Sequence, residues 1–216
     1  MKHTAILLPI LLAGCTVLGV RSVDEPSFET VQVLENGIEI RHYAPRLAAE
    51  AEVEGSGSDA QRRAFRLHFA YISGANSGGE KIVMTAPVEE QPAGREIAMT
   101  APVETAATAD GLIMRFFLPS GLELETAPQP TDPAVRLAPV AAQDVAVQRF
   151  TGWWTEPGLA RRKAALVENL ASTGWTPIGP PVGWFYDPPW TLPFLRRNEV
   201  VVPVERRVVD ESAGRG

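Results

Sequence analysis

A chain of 216 residues with a net charge of −6 and a pI near 5.2 has the length of one domain or of two fused half-domains. The acidic balance excludes a nucleic-acid surface, which needs a basic footprint on the phosphates. A hydrophobic fraction of 45% supports a real core, and a single cysteine, Cys15, excludes an internal disulfide.

The N-terminus opens on Lys2 and His3, followed by an apolar run over 5–12 that is too short to span a bilayer. Leu12-Ala-Gly-Cys15 comes next. Small residues at this point predict a secretory signal peptide over 1–14. A cysteine directly after it resembles the lipobox of bacterial lipoproteins, cut between Gly14 and Cys15 with Cys15 lipidated. Acyl chains give stable anchoring without a transmembrane helix. Thr16 rather than Asp after the cysteine resembles lipoproteins sorted to the outer membrane. The expected location is therefore the cell envelope, on the outer membrane facing the periplasm. With Cys15 committed to lipid, no thiolate is left for nucleophilic catalysis, metal ligation or covalent haem attachment.

Residues 15–29 read as the lipidated cysteine and a linker, 30–206 as the folded domain, and 207–216 as a tail. Residues 37–43 alternate, with Ile38, Ile40 and His42 on one face and Glu39, Arg41 and Tyr43 on the other, which predicts a strand. A second strand spans 47–53, and Gly55-Ser-Gly-Ser58 ends it. A helix follows over 59–73. Phe65, His68, Phe69 and Ile72 form its i, i+3, i+4, i+7 stripe, with Arg62, Arg63 and Arg66 on other faces. Gly74 stops it.

Two strands are then expected around Met84-Thr-Ala-Pro-Val88 and its identical copy Met99-Thr-Ala-Pro-Val103. A further strand spans 111–118, a proline-marked loop 122–133, and two strands 135–140 and 145–150. Thr155 caps a second helix that runs to about Ser172, with Leu159, Leu166 and Leu170 on one face. A proline-rich loop with Trp184, Phe185, Tyr186 and Trp190 leads to a last strand over 199–205. The order strand, strand, helix, strand, strand occurs twice, over 30–118 and 119–206. It predicts an α+β domain in which two pseudo-repeated β-α-β-β halves form a distorted antiparallel β-barrel flanked by two helices.

Five segments carry a resemblance: Ile38-Glu-Ile-Arg-His-Tyr43, Tyr71-Ile-Ser-Gly-Ala-Asn76, Lys81-Ile-Val-Met-Thr-Ala-Pro-Val88, Arg149-Phe-Thr-Gly152, and Tyr186-Asp-Pro-Pro-Trp190 continued by Pro193-Phe-Leu-Arg-Arg-Asn-Glu199. In this order they are similar to the SOUL haem-binding family. The resemblance implies the two-repeat barrel and non-covalent binding of haem or another tetrapyrrole. It implies His42 as an axial ligand to haem iron, and holding of haem by apolar contact along the first helix, through Phe65, His68, Phe69 and Ile72. Arg62 and Arg66, with Arg63, are suited to propionates through forked hydrogen bonds.

Simpler readings stand beside these. His68 fits a hydrogen-bonded core histidine, the arginines a solvated face, and Met84, Met99 and Met114 space-filling rather than thioether ligation. Trp153, Trp154, Trp184 and Trp190 fit barrel-end packing or the rim of a ligand cleft. The expected function is haem or tetrapyrrole binding at the envelope, serving haem buffering or delivery. One alternative is a small-molecule hydrolase on the same scaffold, using carboxylates such as Glu89, Glu90 or Glu104. Another is an envelope lipoprotein that binds a different ligand or a protein partner. No hydrolase or phosphate-loop motif is present, so a non-enzymatic role is favoured.

Overall fold

The computed structural model describes residues 23–93, 111–188 and 190–207. Its elements are β1 (Phe28–Val33), β2 (Glu39–Tyr43), β3 (Arg46–Glu54), α1 (Gly57–Ile72), β4 (Val88–Ala93), β5 (Gly111–Phe117), β6 (Val135–Val140), β7 (Gln143–Phe150), α2 (Glu156–Leu170), β8 (Trp175–Pro177), β9 (Val182–Phe185) and β10 (Asn198–Arg206). A 3-10 turn covers Pro193–Leu195. The strands form one curled antiparallel sheet, a half-barrel, in the order β1-β2-β7-β10-β9-β4-β5-β3-β6, with β8 paired to β10. This is the α+β architecture that the sequence predicts.

The two halves meet at the β9–β4 contact. Outward from it the order is β10-β7-β2 on one side and β5-β3-β6 on the other. Each half lends a strand to the other, because β2 pairs with β7 and β6 with β3.

Register fixes what each face carries. Val200, Gly183, Glu90, Met114, Ala51 and Val135 lie side by side on the helix-bearing face. The next row, Glu199, Trp184, Glu89, Arg115, Glu50 and Arg136, lies on the inner face, since successive strand residues point to opposite sides. Beneath α1 pack Ala49, Ala51, Ala64, Tyr71, Met114 and Phe116. Beneath α2 pack Ile40, Val200 and Val202 with the predicted stripe Leu159, Leu166 and Leu170. Tyr43, Phe117, Val145, Val147, Trp184 and Val201 form a third cluster on the inner face. Thr155 caps α2 by accepting from the Gly158 N–H at 3.3 Å.

Two expectations shift. The first Met84-Thr-Ala-Pro-Val88 copy is a docking turn, and β4 starts only at its last residue. The Thr85 hydroxyl donates to the Phe117 carbonyl, and the Ala86 N–H donates to the Asp24 carbonyl at 2.9 Å. The second copy, Glu104 and Cys15 lie outside the described residues. The stretch expected to be a linker is engaged from Asp24, which bridges Thr85, and β1 begins at Phe28. All six β1 residues are exposed, so no burial alternation marks the strand.

Candidate functional site

α1 turns two different arcs outward and inward. At about 100° per residue, Phe65, Phe69, Arg62 and Arg66 share one arc, while Ala60, Ala64, His68 and Tyr71 share the opposite one. The inward set is buried and packs on β3 and β5. The outward set is not. Phe65 is 40% exposed and Phe69 54%, and their rings stack at 6.3 Å with an interplanar angle of 14°. Phe65 also meets Phe116 edge-on at 5.6 Å, which ties the exposed pair to the core. Arg62 is exposed and pairs with Asp59 one turn back, and Arg66 is exposed beside the two rings. Arg63 turns away and donates to the Glu54 carbonyl.

His68 and Ile72 are placed behind this surface. His68 is wholly buried, lies tilted against Phe116 with ring centres 4.4 Å apart, and has Nδ1 3.0 Å from the Ala64 carbonyl and Nε2 2.9 Å from the Ala49 carbonyl. Burial pushes its pKa down, and the two carbonyls only partly oppose this. Both nitrogens face backbone carbonyls inside the core, so neither is directed at a ligand. Ile72 is buried in the core under α1.

His42 lies elsewhere. It is on β2, and the sheet path from there to β5 crosses β7, β10, β9 and β4, five strand spacings or about 24 Å along the sheet. The ring is exposed, and its Nδ1 sits 2.7 Å from Asp144 Oδ1. A carboxylate at Nδ1 orients the ring, as it does behind metal-bound histidines. This partner is 102 residues away in sequence, and no spacing rule reveals it. The fold thus separates the two groups that the resemblance proposed for haem: the α1 surface over β3 and β5, and His42 on β2 near the other end of the strand order. Among the described residues, no three His, Cys, Asp or Glu side chains gather to hold a metal ion.

The inner face joins Glu89 and Trp184, which the sequence offered as candidates, to Glu50, Arg46, Arg115 and Glu199, which it did not. Glu89, Phe117, Val145, Val182, Trp184 and Val201 line a cavity of about 200 Å³. Glu89 accepts from Arg115 Nη1 at 2.7 Å and from Trp184 Nε1 at 2.9 Å. Glu50 accepts from Arg115 and Arg136. Burial pushes the Glu50 carboxyl up, but the two guanidinium groups outweigh it and hold its pKa below the usual value. Glu199, 0% exposed, accepts from Arg41 Nη1 at 3.0 Å, Arg197 Nε at 2.9 Å and the Tyr186 hydroxyl at 2.6 Å. Arg46 is different. Its guanidinium carbon lies 4.2 Å from the Tyr43 ring centre and 4.5 Å from that of Phe117, and its three nitrogens are enclosed without a hydrogen-bond partner among the described residues.

A second carboxylate sits next in sequence but on the other face. Glu90 lies between the helices, where Gln61 of α1 donates to it at 3.0 Å and Lys163 of α2 faces it. Burial pushes its pKa up to about 7, against the pull of Gln61 and Lys163. The cavity and the carboxylate with the raised pKa therefore lie on opposite faces of the sheet, and no single cleft joins them.

A family model described as SOUL heme-binding protein matches residues 23–203, nearly the whole described chain. The chain belongs to this family. The match covers both halves, so the α1 surface and the Glu199 cluster, built from Arg41, Tyr186, Arg197 and Glu199, all fall within the SOUL region. No curated protein sequence matches the chain. Among solved structures it is similar to the C-terminal domain of EcmrR, with a TM-score of 0.57 at 10% identity over 78% of this chain and 97% of that one. EcmrR in its DNA complex gives 0.54 at 11% identity over 78% and 57%. An uncharacterized conserved protein from Listeria innocua gives 0.50 at 12% identity over 78% and 92%. At these identities the likeness is one of fold.

Proposed function

We propose that this SOUL-family protein binds haem or a related tetrapyrrole on the outer face of α1, while Cys15 anchors it by lipid to the periplasmic side of the outer membrane, and that it buffers or delivers the ligand there. The observation that carries the binding reading is the stacked Phe65–Phe69 pair, held open to solvent at 40% and 54% exposure on a helix whose other side is core. A soluble domain gains nothing by leaving two rings in water, and exposed apolar surface rimmed by charge marks a binding site.

The residues fit a tetrapyrrole. The two phenyl faces offer a flat apolar seat, and Arg62 and Arg66 on the same arc offer cationic forks for peripheral carboxylates. Haem would supply its own redox and ligand chemistry; the chain supplies burial of one macrocycle face, orientation through the arginines and partial exclusion of water. Apolar contact, rather than a coordinate bond from His68, is the holding force in this reading.

Titration of haemin into the purified protein, followed by the Soret band, tests it. Saturation at one equivalent is expected. Each exposed ring still has roughly half of its burial to gain, about 1 kcal/mol, so Phe65→Ala and Phe69→Ala should each weaken binding roughly fivefold. Arg62→Ala with Arg66→Ala should weaken haemin more than a porphyrin lacking carboxylates. His42→Ala should leave affinity unchanged. Loss of haemin with His42→Ala in a folded protein, and none with the phenylalanine variants, would move the site to β2.

A further inference from the structure

Two loops meet at one end of the sheet. The loop after β7 carries Trp153, and the loop before β10 carries Trp190, Leu192 and Phe194. The Gly152 N–H donates to the Pro193 carbonyl at 2.9 Å, and the Asn198 side chain donates to the Gly152 carbonyl at 3.1 Å, so the two loops form one tip. The Arg196 guanidinium lies 3.8 Å over the Trp153 ring and stiffens it from behind. Yet Trp153 is 67% exposed, Trp190 64% and Phe194 70%, more than any other aromatic side chain among the described residues. Leu192 adds to the same surface.

The start of the folded chain is pinned to the same end. Glu25 pairs with Arg197 at 3.0 Å, and Arg197 directly follows the Phe194–Arg196 stretch. From Cys15 to Val23 is eight residue steps, at most about 29 Å of extended chain. A bilayer holding acyl chains on Cys15 is therefore within reach of the aromatic tip, since the described chain begins beside it. Tryptophan and phenylalanine on a preformed, exposed loop suit the interfacial zone of a bilayer, where an apolar ring and a polar N–H are both satisfied.

We propose that the Trp153–Trp190–Phe194 tip inserts into the interface of the phospholipid bilayer that anchors the protein. The tip then acts as a second, non-covalent membrane contact that fixes the domain's orientation. This rests on the anchoring by Cys15 proposed above. Partition gains about tenfold for each ring buried in the lipid interface.

The test uses the mature protein, with acylation of Cys15 checked by mass spectrometry, reconstituted in phosphatidylethanolamine–phosphatidylglycerol vesicles with brominated acyl chains. Tryptophan fluorescence should be quenched relative to unbrominated vesicles. Trp153→Phe with Trp190→Phe should abolish the quenching, because Trp154, Trp175 and Trp184 pack within the fold, while thermal unfolding stays unchanged. Trp153→Ser with Trp190→Ser and Phe194→Ser should release a chemically deacylated form from vesicles at least a hundredfold more readily than the deacylated wild type. An acylated protein whose tryptophans are not quenched overturns the tip while leaving the anchor standing. A Cys15 without acyl groups overturns the anchor, and the tip contact with it. Protection of Trp153 and Trp190 by self-association or by a protein partner, without bromine quenching, also overturns the proposal.

Discussion

Arg46 and Arg41 lie on the same inner face, and removing their charges has opposite expected consequences. Arg41 holds Glu199, which is itself 0% exposed and shares its oxygens with Arg197 and Tyr186. Arg46 has no hydrogen-bonded carboxylate among the described residues; the faces of Tyr43, Phe117 and, at 5.8 Å, Trp184, with the charge of Glu89 further off, compensate its guanidinium. Burial lowers its pKa, a sign that the charged form is the strained one. Dehydrating an ion without pairing it costs several kcal/mol, and cation–π contact returns about 2 kcal/mol when desolvated. Arg46→Met, which keeps the length and the contact with the rings, should therefore leave stability unchanged or raise it by about 1–2 kcal/mol. Arg41→Met should cost about 3 kcal/mol, because it strands part of the charge on Glu199. Urea unfolding midpoints of the two variants measure this. A clear loss of stability in Arg46→Met would mean that the aromatic cage outweighs dehydration.

At the level of elements, the cleft between α1 and α2 sets the pH response. Glu90 sits under both helices with its pKa raised to about 7, from an ordinary value of 4.5. A raised carboxyl binds its proton more tightly in the folded chain. Its contribution to stability is thus complete below about pH 4.5 and is lost as pH rises through 7. Glu50, held below the usual value by Arg136 and Arg115, works the other way, and its contribution is lost only on acidification below 4.5. The Glu90 contribution should fall between pH 5 and 7.5 by at most about 1.4 kcal/mol per unit, against a rise below pH 6.5 from His68, which burial favours as the neutral ring. Glu90→Gln should flatten that fall and leave the acid limb, which denaturant melts across the pH range would show. An unchanged slope in Glu90→Gln would put the titrating group elsewhere.

These two faces also show where sequence reading reaches its limit. Alternation over 37–43 correctly separates Ile38, Ile40 and His42 from Glu39, Arg41 and Tyr43, but it cannot say that Arg41 and Tyr43 are enclosed as Ile38 and Ile40 are, nor that His42 is exposed. Because the sheet curls, Arg41 is 4% and Tyr43 2% exposed on the side a flat sheet would give to water. Glu50, Glu89 and Arg115 are hidden from pattern reading for the same reason. The α1 stripe was legible as a helix, and Arg62, Phe65, Arg66 and Phe69 were legible as candidates. His68 already fits a core histidine from its sequence context, but which of the apolar residues Phe65, Phe69 and Ile72 face the core depends on where β3 and β5 lie. The His42–Asp144 pair needs β2 beside β7, a contact that crosses the boundary between the halves.

That crossing governs the molecule as a whole. Each half shows a β-α-β-β pattern, which suggests two small units that could fold alone. The sheet order denies it. β2, from the first half, is hydrogen-bonded along its length to β7 of the second, and β6 of the second to β3 of the first. The β9–β4 seam adds a further non-local pairing at the centre. Either half in isolation would lose a strand from its own sheet and expose two bare edges, β7 and β9 in one case and β3 and β4 in the other. Small sheets with open edges and half a core are marginal in water. A chain cut between Leu118 and Pro119 should therefore yield two fragments with little ordered structure apart. Mixed at equal concentration, they should regain the strand signal in circular dichroism with a single cooperative melt, lower than that of the intact chain because association now costs translational entropy. Two independently folded fragments, or two separate melting transitions in the intact protein, would show that the exchanged strands are an accessory to each half and not part of its foundation.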